Sequence, residues 1–211
     1  MNISSSKENM LKKIRKALSS STPLPFAASE GNNSLYQPGT QELELHFAEA
    51  FTQLQGKFAF CINVQELAQQ LMQLATQQQW QPLYCAEEAL AQQLQSAGFT
   101  HFNATEWANC PASITTCEAL VARTGTIVLS NATASGRTAS VYAPVHICIA
   151  YTHQLVYDVK DALQLVKDKY GQQIPSLISF ASGPSRTADI EKTLVVGVHG
   201  PKEVYVFLVD A

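Results

Sequence analysis

The sequence has few charged residues and no closely spaced cysteines. Charged residues make up 15% of the chain, and the net charge of −3 provides no general attraction to nucleic acid. The five cysteines are odd in number, and none are in C-x-x-C spacing. Zinc and iron–sulfur sites need closely spaced thiolates, and disulfide frameworks need an even count. We therefore expect no metal, no cofactor and reduced, buried thiols.

Long apolar runs and familiar catalytic motifs are also missing. No stretch approaches the roughly 18 apolar residues of a membrane-spanning helix. The first residues, MNISSSKENMLKKIRKALSSS, contain neither an apolar core nor a small-residue cleavage site, so they do not predict a secretory signal. We expect a cytoplasmic protein without a membrane span. The motifs G-x-G-x-x-G, G-x-x-x-x-G-K-[ST], H-E-x-x-H and G-x-S-x-G do not occur, which leaves open whether the chain is catalytic.

What the sequence does contain is an alternation of helix-like and strand-like segments. Helical spacing predicts helices over 41–55, 64–78, 87–97, 113–120 and 158–169. Apolar, β-branched runs predict strands over 57–62, 82–85, 125–130, 144–151, 176–181 and 204–209. Strands separated by helices of this length are typical of parallel βαβ units. We predict a three-layer αβα domain with a mainly parallel sheet.

We assign this α/β domain to residues 41–211 and a helical arm with an extended linker to residues 1–40. The arm contains KENMLKKIRKAL at 7–18, with apolar residues on one stripe and four basic residues opposite. A basic amphipathic helix could lie on a membrane surface. With only about three turns, it is better explained as an arm that docks on the domain or on another subunit.

Polar clusters fall at several strand ends, where open parallel sheets bind ligands. They are Arg123–Thr126, Ser130–Ser140, His146 and Ser182–Glu191. Thr124, Gly125 and Thr126 could present backbone N–H groups to an anion, although a glycine that merely starts a strand is commoner. His146 has the spacing of a core histidine.

In the last cluster, a Gly-Pro turn precedes a predicted short helix that begins near Ala188. Asp189 and Glu191 would then lie in its first turn, where acids interact favourably with the helix dipole. Arg186 either binds a carboxylate or phosphate at the strand-to-helix junction or pairs with one of these two acids. His199, in the turn VHGP, is either a hydrogen-bonded structural residue or part of a site.

The block SGPSRTADIEKTLVVGVHGPKEVYVFLV resembles the C-terminal signature of the LUD-domain family. Segments 122–126 (ARTGT) and 143–147 (APVHI) and the helix KENMLKKIRKAL agree with it. The resemblance implies a fold similar to the superfamily of ribose-phosphate isomerase, glucosamine-phosphate deaminase and CoA transferases. It also implies a bacterial three-component pathway that oxidises L-lactate to pyruvate. In that pathway this chain would be the component without clusters, and its partners would be iron–sulfur oxidoreductases.

Two points remain open beside this resemblance. Arg123 stands where an acid or a small polar residue is expected, so the charge of a pocket that it lined would differ. The alternative function is a domain or enzyme that binds a small anion, such as a carboxylate, a sugar phosphate or a CoA derivative. Catalytic residues are unassigned, and no metal ligands are predicted. The candidate ligand-binding residues are Thr124, Gly125, Thr126, His146, Ser182, Gly183, Ser185, Arg186, Thr187 and His199.

Overall fold

A computed structural model describes residues 5–19, 41–103, 109–187 and 195–210. The chain divides into two units, 1–39 and 40–211. The first unit contains helix α1 (Ser5–Leu18), which leaves Met10, Leu11 and Ile14 exposed. Its role as a docking arm stays a prediction. Apart from Ser19, the predicted linker lies outside the described residues. No helix of the described residues is long and apolar enough to cross a membrane.

Six parallel strands form the central sheet of the second unit, in the order β1-β12-β7-β4-β2-β3. The strands are β1 (Lys57–Cys61), β2 (Leu83–Tyr84), β3 (Phe102–Asn103), β4 (Ala112–Thr116), β7 (Val145–Tyr151) and β12 (Glu203–Val209). Apolar residues alternate between the two faces of β7 and β12, so each face of the sheet packs against its own hydrophobic core.

Two helices cover one face of this sheet, α3 (Val64–Gln78) and α4 (Glu88–Ser96). Their buried leucines, including Leu71 and Leu94, pack against Ile114 and Ile147. Helix α3 begins at Asn63, whose side chain accepts a hydrogen bond from Glu66 N (2.9 Å). Both helices have the 3.6-residue spacing that the sequence predicts.

The other face is covered by helix α2 (Leu43–Gln53) and by a second, four-stranded sheet. This smaller sheet has the order β8-β5-β6-β9 and lies beneath helix α6 (Val159–Tyr170). Its strands are β5 (Ala119–Val121), β6 (Thr126–Ser130), β8 (Leu155–Val156) and β9 (Ile178–Ala181). The remaining described elements are a short helix, α5 (Ala139–Tyr142), the antiparallel pair β10 (Arg186–Thr187) and β11 (Val195–Val196), and two 3-10 helices, Ala122–Thr124 and Thr152–Gln154.

The predicted α/β fold with a mainly parallel sheet between helices is confirmed. The helix predicted over 113–120 is wrong, because these residues form β4 and most of β5. Ser113 to Thr116 contain three β-branched residues, and the first part of this segment is buried on both faces, so packing favours a strand. The short helix predicted near Ala188 lies outside the described residues, and Arg186 precedes it within β10.

Candidate functional site

Three of the predicted site residues form a chain of hydroxyl groups at the edge of the second sheet. Thr126 Oγ1 lies 2.7 Å from Thr124 Oγ1 and 2.7 Å from Ser182 Oγ. Gly125, between the two threonines, has φ +55° and contacts the backbone of α2 at Phe51. We call these residues, together with Gly183 and Arg186, the α2-end cluster.

Arg186 and Gly183 both meet Leu54, which follows the last turn of α2. Arg186 Nη2 donates a hydrogen bond to the carbonyl oxygen of Leu54, and Gly183 packs closely against the same oxygen. The last carbonyls of a helix have no partner within the helix and carry partial negative charge, so a guanidinium there is stabilising. Arg186 therefore has a structural partner that the sequence did not suggest. Asp189 and Glu191, its other predicted partners, lie outside the described residues.

Arg123, which precedes Thr124, forms an ion pair of its own. Its Nε lies 2.8 Å from Oδ2 of Asp158, the residue that caps helix α6. The hydrogen bond from Arg123 is the main cause that holds the pKa of Asp158 below its ordinary value. The unexpected positive charge at this position therefore interacts with the start of α6.

His146 is separated from the α2-end cluster and lies within β7, between β4 and β12. It is 1% exposed, and burial lowers its pKa to about 4, so the ring is neutral at physiological pH. Nε2 lies 2.9 Å from Thr115 Oγ1, which donates its own proton to Thr116 O (2.9 Å). Nε2 must then be the ring donor, which leaves the buried Nδ1 as an acceptor without a partner.

A carboxylate at the ends of β2 and β4 holds the loop that follows β6. Glu87 accepts hydrogen bonds from Thr116 N (3.0 Å), Thr116 Oγ1 (2.5 Å) and Ser135 Oγ (2.6 Å). Thr115, Ser130 and Ser135 line a cavity of about 10 Å³ beside these contacts, which leaves room for about one water molecule. The hydrogen bond from Ser135 thus holds the loop 131–138 to the ends of these strands.

Glu87, Thr115 and Thr116 were not among the site residues predicted from the sequence. The predicted helix over 113–120 concealed them, since it removed the strand end at which they meet. The β-branched run Ile114-Thr115-Thr116 was the signal that could have found them. The loop Ser130–Ser140 was recognised as a polar cluster, and Ser130 and Ser135 belong to it.

Another candidate site is a cleft beside the turn that precedes β12. We call this cleft the His199 cleft. It has a volume of about 390 Å³ and is lined on one side by α5 and the residue before β7, and on the other by the turn. Ser185 N donates to Pro201 O (2.9 Å), and Gly197 N donates to Ser185 O (2.9 Å), which ties the β10–β11 pair to this turn. Thr187, the last predicted site residue, pairs with Val195 in that hairpin.

The predicted site residues therefore occupy three places. Thr124, Gly125, Thr126, Ser182, Gly183 and Arg186 lie in the α2-end cluster. His199 lines the His199 cleft, Ser185 packs against Gly200 of its lining, and Thr187 follows in the β10–β11 pair that is hydrogen-bonded to the same turn. His146 is in the core. A single pocket that joins Arg186, Thr124, Thr126 and His146 is not observed among the described residues. Their roles in ligand binding stay predictions.

The cysteines are all buried and form no disulfide, and Cys148 is in side-chain contact with Cys117. Burial raises the pKa of Cys61 and of Cys85 to about 11, and it also raises the pKa of Cys110. These thiols are therefore protonated at neutral pH. Over the described ranges, no group of three or more histidine, cysteine or acidic side chains is arranged to hold a metal ion.

The fold defines the chain as an α/β protein with a parallel central sheet and polar residues at several strand ends. A model of the LUD domain family matches residues 98–209, which is more than half of the sequence. The chain belongs to the LUD domain family.

Relatives and a solved structure agree with this assignment. The chain is 37% identical over 118 residues to lactate utilization protein C of Bacillus licheniformis, covering 54% of this chain and 48% of the relative. It is 37% identical over 100 residues to lactate utilization protein C of Bacillus subtilis, covering 46% and 42%. The chain thus spans about half the length of these relatives. A DUF162 family protein from Deinococcus radiodurans shares the fold, with a TM-score of 0.58 at 18% identity over 79% of this chain and 96% of the other.

Proposed function

We propose that this chain is a cytoplasmic component of a bacterial L-lactate utilization system that oxidises L-lactate to pyruvate. The observation that carries the proposal is the similarity to proteins named lactate utilization protein C, with the LUD domain match over 98–209. In this role the chain works beside iron–sulfur oxidoreductases and holds no cluster of its own.

Two properties of the described residues support a role as the component without an iron–sulfur cluster that binds such partners. The cysteines lack C-x-x-C spacing, and over the described ranges they are not gathered with other ligands into a group that could hold a metal ion, whereas iron–sulfur clusters need several thiolates together. Helix α1 carries an exposed apolar stripe of Met10, Leu11 and Ile14 beside basic residues, which suits a contact with another protein. We infer that the partners contact this stripe.

Growth and co-purification together test the proposal. The gene is deleted from its bacterium, and growth is measured with L-lactate or with pyruvate as the carbon source. We expect growth to fail on L-lactate alone and to return when the gene is restored. Equal growth of the deletion strain on both carbon sources would refute the role in lactate oxidation.

The partner assignment is tested by co-expressing the tagged chain with two iron–sulfur oxidoreductases of the same bacterium. We expect both to co-purify and to carry all of the bound iron. Ile14→Gln alters the apolar stripe, and Lys13→Gln is a matched control on the basic face of the same helix. Recovery of the partners should fall with Ile14→Gln and persist with Lys13→Gln. A chain that purifies alone would contradict the partnership.

A further inference from the structure

The His199 cleft combines uncovered apolar side chains with a cation. Tyr142 is 64% exposed, and Val141 and Val198 are also exposed for large apolar residues. Lys202 and His199 add polar groups to the same lining. A cleft that combines apolar side chains with a few polar groups is the usual form of a site for a small organic molecule.

The backbone around Lys202 is held firmly to both walls of the cleft. Lys202 N donates to the carbonyl oxygen of Pro144 (2.7 Å), which belongs to the opposite wall. Gly197 has φ +78°, and a Cβ atom there would lie 2.2 Å from Cγ of Lys202. The stem of the lysine thus packs on the bare backbone of Gly197. This contact restrains the first carbon atoms of the side chain beside the cleft, which lowers part of the entropy cost of binding.

The charge of Lys202 is not neutralised within the part of the chain that the structure describes. The neighbouring acid, Glu203, is instead paired with Lys57, with 2.5 Å between Nζ and Oε2. Lys202 takes no part in the ion pairs Lys57–Glu203, Arg123–Asp158 and Lys169–Glu118. A positive charge beside exposed apolar side chains favours a ligand with an anionic group and an apolar part.

We propose that the His199 cleft binds a small organic anion, with its carboxylate or phosphate on Lys202 and His199 and its apolar part against Tyr142 and Val198. The volume of about 390 Å³ lies within the range of small-molecule sites, about 300–1,000 Å³. It has room for an anion larger than lactate. The site differs from the predicted one at Arg186, since that guanidinium binds the carbonyl of Leu54. It does not depend on a role in lactate utilization.

Titration of the full chain followed by NMR tests the site directly. Three probes distinguish ligands by their anionic group and their apolar part: L-lactate, L-3-phenyllactate and inorganic phosphate. We expect L-3-phenyllactate to shift the backbone amide signals of His199 and Lys202 at millimolar concentrations and to bind more tightly than L-lactate. Tighter binding of phosphate at the same amides would identify a phosphate ester as the ligand class. No shift with any probe at 20 mM, or shifts only outside the cleft, would overturn the proposal.

Matched variants identify the group that holds the anion. Lys202→Ala should weaken binding by at least about tenfold, because a charge-assisted hydrogen bond is lost. Lys202→Arg should retain most of the affinity. Lys167→Ala removes the same charge from the exposed side of α6 and should leave the affinity unchanged. Equal affinities for Lys202→Ala and Lys167→Ala would refute the assigned contact, even if the probe binds.

Discussion

Replacing Gly125 with alanine should destabilise the protein because α2 lies directly against this glycine. The new Cβ atom would lie 2.6 Å from Phe51 N and 2.8 Å from the backbone carbon of Ala50. These are backbone atoms of a helix, so α2 itself must shift. Overpacking of this kind costs about 1–3 kcal/mol, and φ +55° adds about 1–2 kcal/mol for a residue other than glycine. We expect the free energy of unfolding to fall by about 2–5 kcal/mol, measured by urea denaturation.

Gly136→Ala is the matched control. Gly136 has φ +60°, but a Cβ atom there would meet nothing within 4 Å. The control should therefore lose only the conformational part, about 1–2 kcal/mol. The difference between the two variants measures the close approach of α2 to Gly125. If both variants lose the same free energy, the packing of the α2-end cluster described above is wrong.

Three further substitutions test other contacts. Arg186→Ala should lower the free energy of unfolding by about 0.5–1 kcal/mol in thermal melts, because it removes the exposed guanidinium that donates to the carbonyl oxygen of Leu54. An unchanged free energy of unfolding would contradict that contact. His146 is protonated below about pH 6.5 in the unfolded chain but only below about pH 4 in the folded protein. The free energy of unfolding should therefore fall by up to about 3 kcal/mol as the pH is lowered from 6.5 to 4. His146→Asn should lack that loss in urea titrations at pH 7, 5 and 4, and an unchanged pH profile would refute burial of the neutral ring. Lys169 Nζ lies 2.8 Å from Oε2 of the buried Glu118 and forms an ion pair with it. Lys169→Met should cost about 1–2 kcal/mol at pH 7, a value discounted because Lys169 is half exposed. Although burial favours protonation, hydrogen bonds lower the pKa of Glu118, so stability is lost as the pH falls through that pKa. The difference between wild type and Lys169→Met should then shrink, and a constant difference would contradict the pair.

The regular elements could be predicted where local pattern and tertiary packing agree. Helix α3 matches its predicted bounds, since Leu67, Leu71 and Leu74 keep helical spacing and Asn63 caps the first turn. The segment 113–120 failed because apolar periodicity cannot distinguish a short buried strand from part of a helix. The second sheet was not predicted for the same reason, because β5, which lies in this segment, pairs with both β6 and β8.

The candidate sites depend on long-range contacts that local sequence does not encode. Thr126 and Ser182 are 56 residues apart, and Arg186 and the carbonyl that it caps are separated by 132. The sequence identified Arg186 as a residue in need of a partner, but only the fold brings the end of α2 to it. The His199 cleft likewise needs α5 and a turn that lies far along the chain. His199 was predicted, whereas Tyr142 and Lys202 were not.

The place of β12 in the central sheet has a consequence for the order of folding during synthesis. This strand lies between β1 and β7, and the contact of Lys57 with Tyr205 joins residues separated by 148 positions. On the ribosome, β1 and β7 are made well before β12, the strand that pairs with both of them. The central sheet therefore cannot be completed until residues 203–209 emerge. Until then the edges of β1 and β7 that face β12 expose unpaired backbone, which favours aggregation. A nascent chain arrested before residue 203 should therefore be a good substrate for a chaperone.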